Sequence, residues 1–210
     1  LIAPYLERRI QEVIPTADIQ VIVDWDETVE RRERSDRALQ LFTSFDPLTR
    51  GENSIQIPPF RRPDGKPQLP NGKAVSVAHS GDLTLAVSGA EGCDVEAVES
   101  RTPTIWRDLL GVERFALANI ISQQISENLD TAATRVWVAN ECLKKAGAMV
   151  NAPLVLVEST ADSGVWLKSG ESAIGCFVVS VREVEKPLVF GVLVRKMGEC
   201  NLGQLKSLSY

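Results

Sequence analysis

The middle third of this chain limits its fold more than any other segment. Residues 104–125 and 131–147 repeat apolar side chains at helical spacing, and from Leu154 onward the pattern changes to strands. Those strands fall near 153–158, 164–168, 174–183 and 187–195, and Gly147 closes the second middle helix as its C-terminal cap. Ahead of the helices, 5–14 reads as a short helix and 19–23 as a strand. Residues 27–45 read as a charged helix with Ala38, Leu39, Leu41, Phe42 and Phe45 on one face. Ile55 and Ile57 alternate in a strand ended by Pro58-Pro59, and 61–73 is a loop rich in proline and glycine. Strands near 74–78, 83–88 and Cys93–Glu96 follow. Helix and strands, then helices and strands again, predict an α+β fold with two halves, 1–100 and 101–210.

A chain of 210 residues has ample length for a core, and its 44% hydrophobic and 24% charged content is ordinary for a globular protein. The formal charge of −5 argues against a general nucleic-acid binder. No apolar run approaches the roughly 20 residues of a membrane span, and the start carries no signal-peptide pattern. Cys93, Cys142, Cys176 and Cys200 form no C-x-x-C pair, so reduced thiols in a cytoplasmic protein are expected, without zinc. A start without methionine fits a domain excised from a longer protein, and equally a removed tag or disordered ends.

The residues with chemistry are few. Asp94 and Glu96, two apart on a strand, leave the same face about 6–7 Å from each other. They fit either a solvated strand end or a pair that shares magnesium with a phosphate ligand. Glu141 and Lys145 share a helix face, as an ordinary ion pair or as a third metal ligand and a cation for a leaving phosphate. His79 lies between an apolar strand and Ser80-Gly81, as a structural residue or beside a phosphate. A Ser-His-Asp triad from such close neighbours in sequence is not expected. Lys66, in Gly65-Lys66-Pro67, is a turn lysine or a phosphate contact. Arg31, Arg32, Arg34 and Arg37 crowd one helix as a solvated face, or Arg31 and Arg34, three apart, point together at an anion. No G-x-G-x-x-G or Walker A pattern occurs.

Taken in order, Gly65-Lys66-Pro67, Val77-Ala78-His79-Ser80-Gly81-Asp82, Gly92-Cys93-Asp94-Val95-Glu96 and Trp137 through Lys145 resemble the Sfp-type 4′-phosphopantetheinyl transferases. The resemblance spans nearly the whole chain. It implies two similar α+β halves packed as a pseudo-dimer, with coenzyme A and magnesium in the cleft between them. It implies transfer of 4′-phosphopantetheine from coenzyme A to a serine of an acyl or peptidyl carrier protein, releasing adenosine 3′,5′-bisphosphate. On this resemblance Asp94, Glu96 and Glu141 are the metal-binding acids and Lys145 the lysine near the pyrophosphate. Glu141, directly or through a water, is also the expected base for the carrier serine. His79, Lys66 and Ser80 match the wall of the coenzyme phosphates, and Arg31 and Arg37 the basic residues of the early helix. A multidomain polyketide or fatty-acid synthase is the parent this family suggests.

The chain departs from the family at Asn140, where a lysine usually precedes the third acid, and at Cys142, where a small residue is usual. The lost positive charge keeps open a rival, a domain that binds coenzyme A or a carrier protein without efficient transfer. A magnesium-dependent phosphohydrolase is a third reading.

Overall fold

Period-two alternation along the strands sorts side chains between three cores, and that sorting carries the candidate acids to one helix. The computed structural model describes residues 2–44, 60–159, 164–181 and 184–195. The expected Ile55–Ile57 strand, Phe45, Pro58, Pro59 and Cys200 lie outside them. The elements run α1 (Ile2–Val13), β1 (Gln20–Trp25), α2 (Arg31–Ser44), β2 (Phe60–Arg61), β3 (Pro67–Gln68), β4 (Val75–Ser80), β5 (Leu83–Ser88) and β6 (Gly92–Ala97). They continue with α3 (Pro103–Ile125), α4 (Leu129–Lys145), β7 (Val155–Ser159), β8 (Gly164–Ser169), β9 (Ser172–Val179) and β10 (Leu188–Arg195). The described residues form a mixed α+β structure whose paired strands are all antiparallel.

One sheet has the order β1-β5-β4 and another the order β6-β10-β9-β8-β7. The strand β6, from the first hundred residues, is thus an edge of the sheet that the last third of the chain builds. The two halves expected from the sequence share that sheet. A backbone N–H of Cys93 donates to Ser76 Oγ at 2.9 Å and ties β6 to β4 of the smaller sheet.

Between the two sheets lies a core of Leu6 and Ile10 from α1, Leu85, Val87, Cys93, Val95, Trp166, Phe177 and Phe190. On the outer face of the small sheet, Ala38, Leu39 and Phe42 of α2 pack on Val75 and Ala86. On the outer face of the large sheet, α3 and α4 pack on Val165, Ile174, Val189 and Leu193. Since Cys93 and Val95 point to the inner core, Asp94 and Glu96 must leave β6 on the face toward α4.

The helix α4 starts at Asn128, whose side chain accepts from Thr131 N at 2.7 Å. It is buried nearly all round, so it lies within the structure and not on its rim. Two glycines let it approach: a Cβ at Gly92 would overlap the Cys142 carbonyl, and one at Gly191 would overlap Val138.

Two expectations need correction. The helix of 104–125 is broken at Gly111, whose φ of 76° and ψ of 168° leave the helical region. A residue without Cβ takes that conformation without strain, and the chain uses it to change direction. The loop of 61–73 contains the short hairpin β2–β3, turned by Gly65 with φ of 80°.

Candidate functional site

The close crossing of α4 over β6 is what assembles the site. Lys145 Nζ donates to Asp94 Oδ1 at 2.8 Å and to the Cys93 carbonyl at 2.8 Å. Asp94 is only 6% exposed, and its second oxygen, Oδ2, is buried without a hydrogen-bond partner. Glu141, one turn back on α4, pairs with Lys144 at 2.5 Å. Trp137, another turn back, hydrogen-bonds Glu96, and Lys144 Nζ stands 5.4 Å above its ring.

Charge in this space is tightly coupled. Burial pushes the Asp94 carboxyl above its ordinary range; Lys145 opposes that and Glu141 adds to it. Glu96 is raised by burial first, then by the charge of Asp94, against the Trp137 hydrogen bond. Burial works against the Lys145 ammonium, but Asp94 outweighs it and its pKa rises. Asp94 and Glu96 therefore feel neighbouring carboxylate charge, and Asp94 and Glu141 each hold a lysine.

Among the described residues no three His, Cys, Asp or Glu side chains converge tightly enough to hold a metal ion. Lys145 and Lys144 take the places a cation would have on Asp94 and Glu141. The donor set itself fits magnesium: carboxylate oxygens are hard ligands, and Asp94 Oδ2 is a buried oxygen without a partner.

The end of α4 brings in Lys66. Gly147, with φ of 81°, lets its N–H return to the Lys144 carbonyl and that of Ala148 return to Leu143. Gly147 thus closes the helix as expected. The Lys145 carbonyl accepts instead from Lys66 Nζ at 2.6 Å, a cation at the negative end of the helix. Lys66 and Lys145 also line one hollow of about 430 Å³.

On the other flank, His79 leaves β4 toward α2 and lines a hollow of about 900 Å³ with Arg31, Arg32, Ser35 and Arg61. Glu30 lines the same hollow and Arg61 is paired with Asp36, while Arg31 and Arg32 make no ion pair among the described residues, so the lining is net positive. Burial, with Arg31, Arg34 and Lys145 nearby, pulls the imidazole from 6.5 down to about 4. Ser80 is half-buried at the end of β4, next to the turn at Gly81.

The four arginines of α2 have separate places. Arg37, expected beside the coenzyme, is held by Asp24 at 2.5 Å and Asp26 at 3.1 Å. Its charge is already neutralised, and Arg32 lines the hollow instead. Arg34 does not join Arg31 at an anion: it is 4% exposed and donates to the carbonyls of Asp26, Val29 and Gly81. Asn140 is 6% exposed, so a lysine charge there would have little water around it.

Trp137 packs against the core of α3, α4 and the large sheet; sequence reasoning missed Lys144, whose i, i+3 spacing to Glu141 was a usable signal. It also missed Ser35 and Thr84, which flank His79 at 3.0 Å each and which no local pattern marks. A hollow of about 580 Å³ at the α3 break, lined by Gly111, Arg114 and Pro153, shares no residue with these groups. No helix among the described residues is long and apolar enough to cross a membrane. No model of a known protein family matches the chain, and no curated protein matches it.

Proposed function

We propose that the chain transfers 4′-phosphopantetheine from coenzyme A to a serine of an acyl or peptidyl carrier protein. We further propose that the two α+β halves form the pseudo-dimer of the Sfp-type transferases. The observation that carries the reading is Asp94 at the crossing of α4 over β6, buried with Oδ1 on Lys145 and Oδ2 without a partner, and with Glu141 near enough to raise its pKa. A net-positive hollow around Arg31 and Arg32, with Glu30 also in its lining, stands on the flank and suits the phosphates of a nucleotide. A smaller hollow of about 210 Å³, lined by Glu96, Glu99, Arg101, Trp106 and Trp137, opens beside the acids.

Asp94, Glu96 and Glu141 would hold magnesium, which supplies charge neutralisation on the pyrophosphate when bound. Arg31, Arg32 and Lys66 orient the coenzyme through its phosphates. The serine oxygen bonds to the β-phosphorus as the bridging oxygen on the α-phosphate side leaves with its electron pair. Lys145, kept protonated by Asp94, faces that developing negative charge. Glu141 takes the serine proton, directly or through a water.

A second reading, binding without efficient transfer, is favoured by one observation: lysines already occupy Asp94 and Glu141. Intact-mass measurement of an apo carrier protein with coenzyme A and magnesium separates the two. Transfer adds one phosphopantetheinyl group to the carrier. An unchanged carrier mass in the presence of demonstrated coenzyme binding supports the second reading.

A further inference from the structure

The groups around the chain's only imidazole can be satisfied together in one way. His79 Nδ1 lies 3.0 Å from Thr84 Oγ1, and Nε2 lies 3.0 Å from Ser35 Oγ. Arg34 Nε lies 3.2 Å from the same Thr84 oxygen. A guanidinium has no acceptor, so that contact is a donation into the threonine. At the other end, Ser35 Oγ lies 3.0 Å from the Arg31 carbonyl, which can only accept.

Place the imidazole proton on Nδ1, and Thr84 Oγ1 must accept twice. Its own hydroxyl hydrogen, on a side chain with no exposure, then has no acceptor among the described residues. Ser35 would also have to abandon the Arg31 carbonyl to serve Nε2. Place the proton on Nε2, and every hydrogen has one acceptor. Arg34 Nε–H donates to Thr84, Thr84 O–H to Nδ1, Nε2–H to Ser35, and Ser35 O–H to the Arg31 carbonyl. A second proton on the ring would orphan the threonine hydroxyl again and set an imidazolium beside Arg31 and Arg34.

We propose that His79 is a neutral, Nε2-protonated positioning residue, and that Arg34, Thr84 and Ser35 fix this tautomer so that the first turn of α2 holds Arg31 in the anion hollow. The remaining Arg34 N–H groups, on the carbonyls of Asp26, Val29 and Gly81, anchor the relay at its far end. In this arrangement His79 neither receives the carrier serine proton nor carries charge for a phosphate. That the anion is coenzyme A rests on the function proposed above; the tautomer does not.

A single histidine gives one set of ring-nitrogen signals in the ¹⁵N-labelled full chain. The expected spectrum has a pyrrole-like Nε2 and a pyridine-like Nδ1, unchanged from about pH 8 to about pH 5. An Nδ1–H tautomer, or an imidazolium forming near the ordinary 6.5, overturns the proposal. Thr84→Val removes the donor to Nδ1; it should raise the Kd and KM for coenzyme A about tenfold, with kcat within about twofold. Thr84→Ser should restore the signals and the affinity. A fall in kcat at constant KM would place His79 in the chemistry and overturn the assignment. Should the carrier never gain mass, the transferase reading fails, while the imidazole spectrum and coenzyme A calorimetry still decide the relay.

Discussion

Lys145 Nζ sits 2.8 Å from Asp94 Oδ1, with one third of the lysine side chain in solvent and the aspartate almost wholly enclosed. A lysine and a divalent cation therefore compete for the same carboxylate. Lys145→Met should bind magnesium more tightly in the absence of coenzyme and lose phosphopantetheine transfer. It should also cost about 1–3 kcal/mol of stability, less than a fully buried pair would, because Lys145 keeps contact with water. Calorimetric titration with magnesium chloride and urea unfolding check both effects. Weaker magnesium binding in the variant would show that the lysine does not stand in the metal's place.

The acid limb of stability reads out His79. Its folded pKa, about 4, lies below the ordinary 6.5, so the unfolded chain binds the extra proton between those values. Stability from the neutral imidazole is full above that window and falls as the pH drops through it. Asp94 and Glu96 shift the other way: raised in the fold, they stabilise below their ordinary range and lose that contribution as pH rises. Subtracting a His79→Gln profile from the wild type isolates the histidine. The difference in unfolding free energy should shrink steadily from pH 6.5 toward pH 4. A flat difference would mean that the ring is as protonated in the fold as out of it.

Gly92 is where α4 touches β6. A Cβ there meets the backbone carbonyl of Cys142, which cannot rotate away as a side chain would. Gly92→Ala should cost about 3 kcal/mol, the upper end of ordinary overpacking, and lift α4 from Asp94. Gly170→Ala is the contrasting control: its φ of 56° is unfavourable for alanine, but nothing lies within 4 Å. About 1 kcal/mol is expected there, with transfer retained. Urea midpoints and carrier mass, measured on the same preparations, compare them.

How much of this the sequence carried depends on how far each signal reaches. Helical spacing placed Glu141 and Lys145 on one face, and strand alternation placed Asp94 with Glu96, because both are local periodicities. The helix C-terminus at Gly147 was legible for the same reason. Burial was not. Arg34 and Arg37 look alike in sequence, yet one is enclosed beneath Gly81 and the other lies between two aspartates. Ser35, His79 and Thr84 come from α2, β4 and β5, and only tertiary packing brings them into line. Gly92 and Gly191 read as ordinary strand glycines until the helix that crosses them is known.

Glu141→Gln tests the division of labour among the acids. It keeps the shape of the side chain and removes the charge that pairs with Lys144 at 2.5 Å, a contact with substantial solvent access. The loss of stability should therefore be under about 1 kcal/mol. Transfer should fall by about a hundredfold or more, since both a metal ligand and the base are lost. Asp94→Asn should lose transfer as well but also destabilise, because Lys145 then has no carboxylate. Adding a chelator should abolish the wild-type mass gain on the carrier and leave His79 and its relay unaltered by NMR. A Glu141→Gln variant that modifies the carrier at near the wild-type rate would remove Glu141 from the chemistry and leave it a surface partner of Lys144.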